Sequence, residues 1–175
     1  MGQVNRDAWQ AAAAFAARAH RHQVRNDGRT PYIAHPMRVA ITVRHVFGCE
    51  DEGAMCAALL HDTIEDTTTD YDDVAGGFGE EVAGIVGALT KNMAMPLAER
   101  EADYDARLAR ADWRARLVKL ADVFDNWCDC AELSAEARAK LPGRAERALA
   151  LAEPDRAGHP EMERAVRAVR GIVGM

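Results

Sequence analysis

Alanine dominates this chain, and valine and isoleucine never form runs that alternate with polar residues. Alanine loses no side-chain entropy in a helix, whereas half-buried strands need β-branched or aromatic residues at every second position. The sequence therefore predicts an all-α fold. At 175 residues it is of single-domain size, and no internal repeat, low-complexity tract or long linker divides it, so residues 1–175 read as one helical bundle.

Punctuation along the chain sets the expected helices. A first helix runs from Asn5 to His22, with Trp9, Ala12, Phe15, Ala16 and Ala19 as an apolar core stripe. The turn-forming segment Arg25-Asn26-Asp27-Gly28-Arg29-Thr30-Pro31 ends it. His35-Pro36 opens a second helix that reaches about Phe47, since proline fits the first helical position. A third spans Asp51 to about Asp62, followed by a turn over Ile64–Thr69. Asp70–Phe78 and Glu80–Leu89 are short helices separated by glycine, and Lys91–Pro96 is a loop. Leu97–Ala111 and Asp112–Asp129 are helical, the latter read as the most apolar helix, and shorter helices end near Val173.

Charge and composition exclude several functions. The formal net charge of −6 argues against nucleic-acid binding and against attachment to an anionic membrane, while leaving room for a small basic pocket. No apolar run approaches the ~20 residues that a membrane span needs, and the polar start MGQVNRDAW has no leader-like apolar stretch. Cys49, Cys56, Cys128 and Cys130 form no CxxC pair and read as reduced thiols at apolar helix positions. The expected location is the cytoplasm; oligomeric state is not legible.

The segment Leu59-Leu60-His61-Asp62-Thr63-Ile64-Glu65-Asp66-Thr67 carries the chemistry. An apolar helix ends in an adjacent His-Asp pair, with two more carboxylates three and four residues on. If helical geometry persists, His61 and Glu65 share a face, as do Asp62 and Asp66. Carboxylates crowded beside a buried run repel one another, and a divalent cation resolves that conflict. His35 stands at a helix start, and Asp122 and Asn126 share one face of an apolar helix. A carboxylate in such surroundings needs a partner. For Asp122 that partner is either a metal or Lys119 at i−3. His35, His61, Asp62 and Asp122 together suit Mn²⁺, Fe²⁺ or Zn²⁺ better than an all-oxygen Ca²⁺ or Mg²⁺ cage. Glu65 and Asp66 lie one turn beyond, placed to orient or deprotonate a water for metal-assisted hydrolysis.

The order of these residues resembles the HD-domain metal-dependent phosphohydrolases. His20-Arg21-His22-Gln23-Val24-Arg25, Pro31-Tyr32-Ile33-Ala34-His35-Pro36, Leu60-His61-Asp62-Thr63-Ile64-Glu65-Asp66-Thr67 and Val118-Lys119-Leu120-Ala121-Asp122 are similar to the hydrolase domain of RelA/SpoT proteins and to the stand-alone small alarmone hydrolases. The resemblance implies an all-helical single domain, Mn²⁺ held by His35, His61, Asp62 and Asp122, and removal of the 3′-diphosphate from guanosine tetra- or pentaphosphate in the stringent response. It also implies Glu65 and Asp66 as the pair acting on water, Arg25 on the guanine and Asn126 beside the nucleotide.

Val123, Asp125 and Cys128 depart from the pattern, since the family usually carries a basic residue at the first, His or Tyr at the second and Arg at the third. Arg144 and Arg147 are the residues that could compensate. Two alternatives stay open: an HD phosphohydrolase of another nucleotide, such as a phosphate monoester or NADPH, and a non-catalytic nucleotide-binding module.

Overall fold

The structure, a computed structural model, describes residues 8–174. In chain order α1 covers Ala8–Ala19, α2 Ala34–Ile41, α3 Glu52–Leu60, α4 Thr63–Asp66, α5 Tyr71–Phe78 and α6 Glu80–Leu89. They are followed by α7 Leu97–Arg110, α8 Trp113–Cys128, α9 Ala135–Ala139, α10 Leu141–Ala152 and α11 Pro160–Val173. The fold is all-α: no strand forms among the described residues, and Val24 and Pro31 make an isolated antiparallel bridge.

Helix starts follow the capping chemistry. Asp51 accepts the Ala54 N–H at the start of α3, Asp112 accepts the Arg114 N–H at the start of α8, and Asp70 and Asp73 form a reciprocal capping box on α5. Such a cap stabilises its helix by about 1 kcal/mol. Helix α8 is the hub, packed against α2, α3, α6, α10 and α11. Its Leu117, Val118 and Leu120 are fully buried, and truncating such a leucine to alanine costs about 2–5 kcal/mol.

Five expectations change. The first helix stops at Ala19 rather than His22, and its expected start at Asn5 lies outside the described residues. Trp9 is not core: it is 42% exposed, because α1 packs on α3 through the small side chains of Ala12 and Ala16, one turn further on. The second helix does reach Phe47, but its last turn, Thr42–Val46, is π-helical and ends at Gly48 with φ +66°. A side chain at Gly48 would meet the Arg164 guanidinium at 3.0 Å, which there binds the Phe47 carbonyl at 2.6 Å. The turn expected over Ile64–Thr69 begins instead as the single-turn helix α4, held by the Thr63 hydroxyl on the Leu60 carbonyl and the Thr67 hydroxyl on the Thr63 carbonyl. Finally, α8 is not the most apolar helix: α3 buries six of its nine residues, all apolar, whereas α8 interleaves its buried apolar residues with buried Arg116 and Asp125.

The cysteines also differ in part. All four are free thiols, but Cys49 lies in the loop after the π turn, Cys128 is exposed and Cys130 half-buried.

Candidate metal centre and nucleotide cleft

Residues on or just after three helices bring three donor groups together, with Asp122 beside the two histidines. His35 is the second residue of α2, where the Tyr32 carbonyl accepts its N–H and fixes the turn that aims the ring inward. His61 and Asp62 follow the end of α3, and Asp62 breaks the helix with φ −99° and ψ −3°. Asp122 projects from the middle of α8. His35 Nε2 lies 3.4 Å from Asp62 Oδ2 and 3.3 Å from Asp122 Oδ1, and His61 Nε2 lies 3.1 Å and 3.9 Å from the same two oxygens. The donor atoms of His35, His61 and Asp62 fall within 4.8 Å of one another.

The far side of each imidazole is already engaged, which turns its Nε2 toward the carboxylates. His61 Nδ1 donates to the Ala58 carbonyl at 2.9 Å, leaving Nε2 buried with no hydrogen-bond partner among the described residues. An orphaned buried nitrogen of this kind is rare unless a ligand completes it. His35 Nδ1 meets Asp125 Oδ2 at 2.6 Å. Asp122 divides its carboxylate, one oxygen accepting from Lys119 at 2.8 Å and the other facing the histidines while accepting from Asn126 Nδ2, so the Lys119 pair leaves that second oxygen directed at the site. Two imidazoles and two carboxylates with their lone pairs converging fit a divalent transition metal.

Without a cation the site gathers protons instead. Burial alone would depress His35, but Asp122, Asp125 and Asp62 push it up to about 11. Burial likewise works against charged His61, and the Asp62 carboxylate overrides it, raising the imidazole above its ordinary value. Burial would raise Asp62 and Asp122, yet His61 and His35 hold the first, and Lys119 and His35 the second, below the usual carboxylate range.

Three supporting side chains were not assigned a part in the site from the sequence. Asp125, one turn from Asp122, binds both His35 and Arg38, whose Nε and NH2 donate to it at 2.6 and 3.0 Å. The Tyr32 hydroxyl donates to Asp62 Oδ2 at 2.6 Å and lies 3.2 Å from Asp66 Oδ2. The spacing of Asp122 and Asp125 on one helix face was the available signal for Asp125; that of Tyr32 and Arg38 on either side of His35 was weaker.

The centre opens into a cleft of about 260 Å³ lined by Arg25, Glu65, Lys91, Val123, Asn126 and Arg144, among others. Glu65 forms part of the wall, and its Oε2 accepts the Lys91 N–H at 2.8 Å. The Lys91 loop is held by Arg107 of α7, which donates to the Gly87 and Thr90 carbonyls at 3.0 and 2.8 Å. Burial raises the Glu65 carboxyl, and Asp62 adds to it; burial and Asp62 raise Asp66 in the same order. Glu65 lines the cleft, and the Asp66 carboxylate lies 3.2 Å from the hydroxyl of Tyr32, which lines it too.

Arg25 and Asn126 are brought together. The Arg25 side chain is only 9% exposed and donates to Asp129 and to Asn126 Oδ1, both at 3.1 Å. Its loop closes through Asp27, which accepts both the Thr30 N–H and hydroxyl, and through Gly28 at φ +67°, a conformation that favours glycine. With its fork engaged, Arg25 offers the flat face of the guanidinium, 5.5 Å over the Tyr32 ring. Asn126 Nδ2 also donates to Asp122, tying the nucleotide side of the cleft to the metal side.

The HD-domain family profile matches residues 12–145, a span that contains all four converging donors. The chain belongs to the HD-domain family. Among curated HD-domain relatives, the guanosine-3′,5′-bis(diphosphate) 3′-pyrophosphohydrolase MESH1 of Xenopus tropicalis is 41% identical over 119 residues, 67% of this chain and 66% of that protein. The human protein of that name is 44% identical over the same length and shares. The guanosine-3′,5′-bis(diphosphate) 3′-pyrophosphohydrolase of Aquifex aeolicus is 40% identical over 120 residues, only 17% of its own length. The match thus spans just under two thirds of the MESH1 proteins. A solved structure described as a metazoan ortholog of SpoT that hydrolyses ppGpp superposes with a TM-score of 0.78 at 27% identity, covering 99% of both chains. No helix among the described residues is long and apolar enough to cross a membrane.

Proposed function

We propose that this HD-domain chain is a Mn²⁺-dependent hydrolase that removes the 3′-diphosphate from guanosine tetra- or pentaphosphate and releases pyrophosphate. The observation that carries the reading is the convergence of His35, His61, Asp62 and Asp122 at the inner end of a cleft whose wall holds Glu65. The names of the MESH1 and Aquifex relatives and the described activity of the SpoT ortholog support it. When bound, the ion supplies Lewis-acid polarisation of the phosphoryl group and of the attacking water.

The chain's own residues do the rest. Asp125 and the Ala58 carbonyl lock the two imidazoles in the orientation that turns Nε2 inward. Glu65, raised toward neutrality by burial, takes the proton of the attacking water as its oxygen bonds to phosphorus and the bond to the ribose 3′-oxygen breaks. The released 3′-oxygen takes up a proton, leaving GDP from the tetraphosphate. Asp66, held near Tyr32, completes the acidic pair and sustains the field around Asp62. Arg25 stacks its free face on the guanine and Asn126 orients the ribose side.

One observation favours a second reading, an HD-domain hydrolase of a different nucleotide: the cleft wall at Val123 is apolar. A nucleotide panel incubated with the Mn²⁺-loaded protein separates the two. The first reading predicts GDP and pyrophosphate in equal amounts from guanosine tetraphosphate. Background release from that compound beside brisk turnover of another nucleotide supports the second.

A further inference from the structure

Five basic side chains line the cleft: Arg25, Lys91, Lys119, Arg144 and Arg147. Four are neutralised within the protein. Arg25 pairs with Asp129 at 3.1 Å, Lys119 with Asp122 at 2.8 Å and Lys91 with Glu101 at 2.7 Å. Arg147 pairs with Glu101 at 3.1 Å and approaches Asp105 at 3.7 Å. Arg144 is the exception: its guanidinium makes no ion pair or hydrogen bond among the described residues. Burial would raise the neighbouring Glu101, but Lys91, Arg147 and Arg144 together hold its carboxyl below the usual range, so Arg144 lies within electrostatic reach of this cluster.

Position adds meaning to that surplus charge. His35 and His61 are buried at the inner end of the cleft, whereas Arg144 is exposed on α10, at its mouth. A guanosine bis-diphosphate whose 3′-diphosphate sits at the inner end carries its 5′-diphosphate on the opposite side of the ribose, toward the mouth. Helix α8 offers that group nothing, since Val123 is apolar and Lys119 is committed to Asp122. An unpaired guanidinium is suited to gripping two phosphate oxygens in a bidentate fork.

We propose that Arg144, with Arg147 beside it on α10, forms the subsite for the 5′-diphosphate and sets a preference for nucleotides phosphorylated at both ends. This inference rests on the proposed function. The Arg144 side chain projects to solvent while α10 packs through Ala145, Ala148, Leu149 and Ala152, so its replacement leaves the core contacts in place.

The test compares guanosine 3′-diphosphates bearing a 5′-diphosphate, a 5′-monophosphate or a 5′-hydroxyl. The wild type prefers the first, chiefly through KM, and added KCl weakens that preference. Arg144→Gln raises KM for the 5′-diphosphate substrate about tenfold, the scale of one exposed charge-assisted contact, and Arg144→Lys restores part of it. Equilibrium titration gives a readout without turnover: Arg144→Gln narrows the affinity gap between GDP and guanosine. An unchanged gap and an unchanged preference in Arg144→Gln overturn the subsite, as does a wild type that treats all three substrates alike. Failure of the wild type to release pyrophosphate from any of them overturns the proposed function itself, and the subsite with it.

Discussion

Asp125→Ala is the perturbation that most cleanly separates support of the metal centre from packing. The carboxylate is buried and accepts from His35 Nδ1 at 2.6 Å and from Arg38 at 2.6 and 3.0 Å. Its removal leaves the His35 Nδ1–H buried without an acceptor, a cost of about 1–3 kcal/mol. Arg38 keeps Asp129 at 2.8 Å and has a side chain 38% exposed, so solvent and that second carboxylate limit its share to at most about 1 kcal/mol. The sum of about 1–4 kcal/mol corresponds to a drop in Tm of roughly 2–16 °C for a domain of this size. Because the ring of His35 is no longer held, affinity for Mn²⁺ falls about 10–100-fold. Asp125→Asn keeps an acceptor for His35 and loses less affinity. Calorimetric titration with Mn²⁺, alongside a melting curve, reads both effects. A variant that melts earlier yet binds Mn²⁺ as tightly as the wild type refutes the positioning argument and leaves Asp125 a packing residue.

Three further outcomes are expected. Glu65→Gln retains Mn²⁺ and loses turnover by about 10²-fold or more, the scale of a general base, as read by steady-state kinetics at saturating metal. Metal binding releases at least one proton per site near neutral pH, because acidic neighbours push His35 up to about 11 and raise His61 as well in the metal-free protein, and a ligand must be neutral; calorimetry in buffers of different ionisation enthalpy measures this, and no proton release contradicts the assignment of the two histidines. Arg25→Ala raises KM more than it lowers kcat, since stacking on the base is equal in ground and transition states; steady-state kinetics with guanosine tetraphosphate checks the split.

Local chemistry was readable where a residue acts on its own neighbours in the chain. Asp51, Asp70 and Asp112 cap helices at the positions their sequence context implies, and Gly79 separates α5 from α6 as expected. The adjacency of His61 and Asp62 and the i−3 relation of Lys119 to Asp122 were equally local, and the structure brings His35 to both. What escaped depends on contacts far apart in sequence. Asp125 looks like a stray charge on α8 until α2 places His35 and Arg38 against it. Trp9 belongs to an apolar stripe by spacing, yet no helix among the described residues covers it; instead it joins Met37, Ile41 and Met55 along an outward groove. The π turn at Thr42–Val46 has no marker in single residues, because it is fixed by Arg164 of α11 holding the carbonyls that follow it.

The central claim is that four converging side chains hold the ion on which hydrolysis of the 3′-diphosphate depends. Metal-stripped protein titrated with Mn²⁺, while pyrophosphate release from guanosine tetraphosphate is followed, tests it most directly. The account predicts no turnover without metal, a rise that saturates at about one ion per chain, and no recovery in His61→Ala at the same metal concentration. Turnover that persists in the stripped protein, or that is restored equally in His61→Ala, contradicts it.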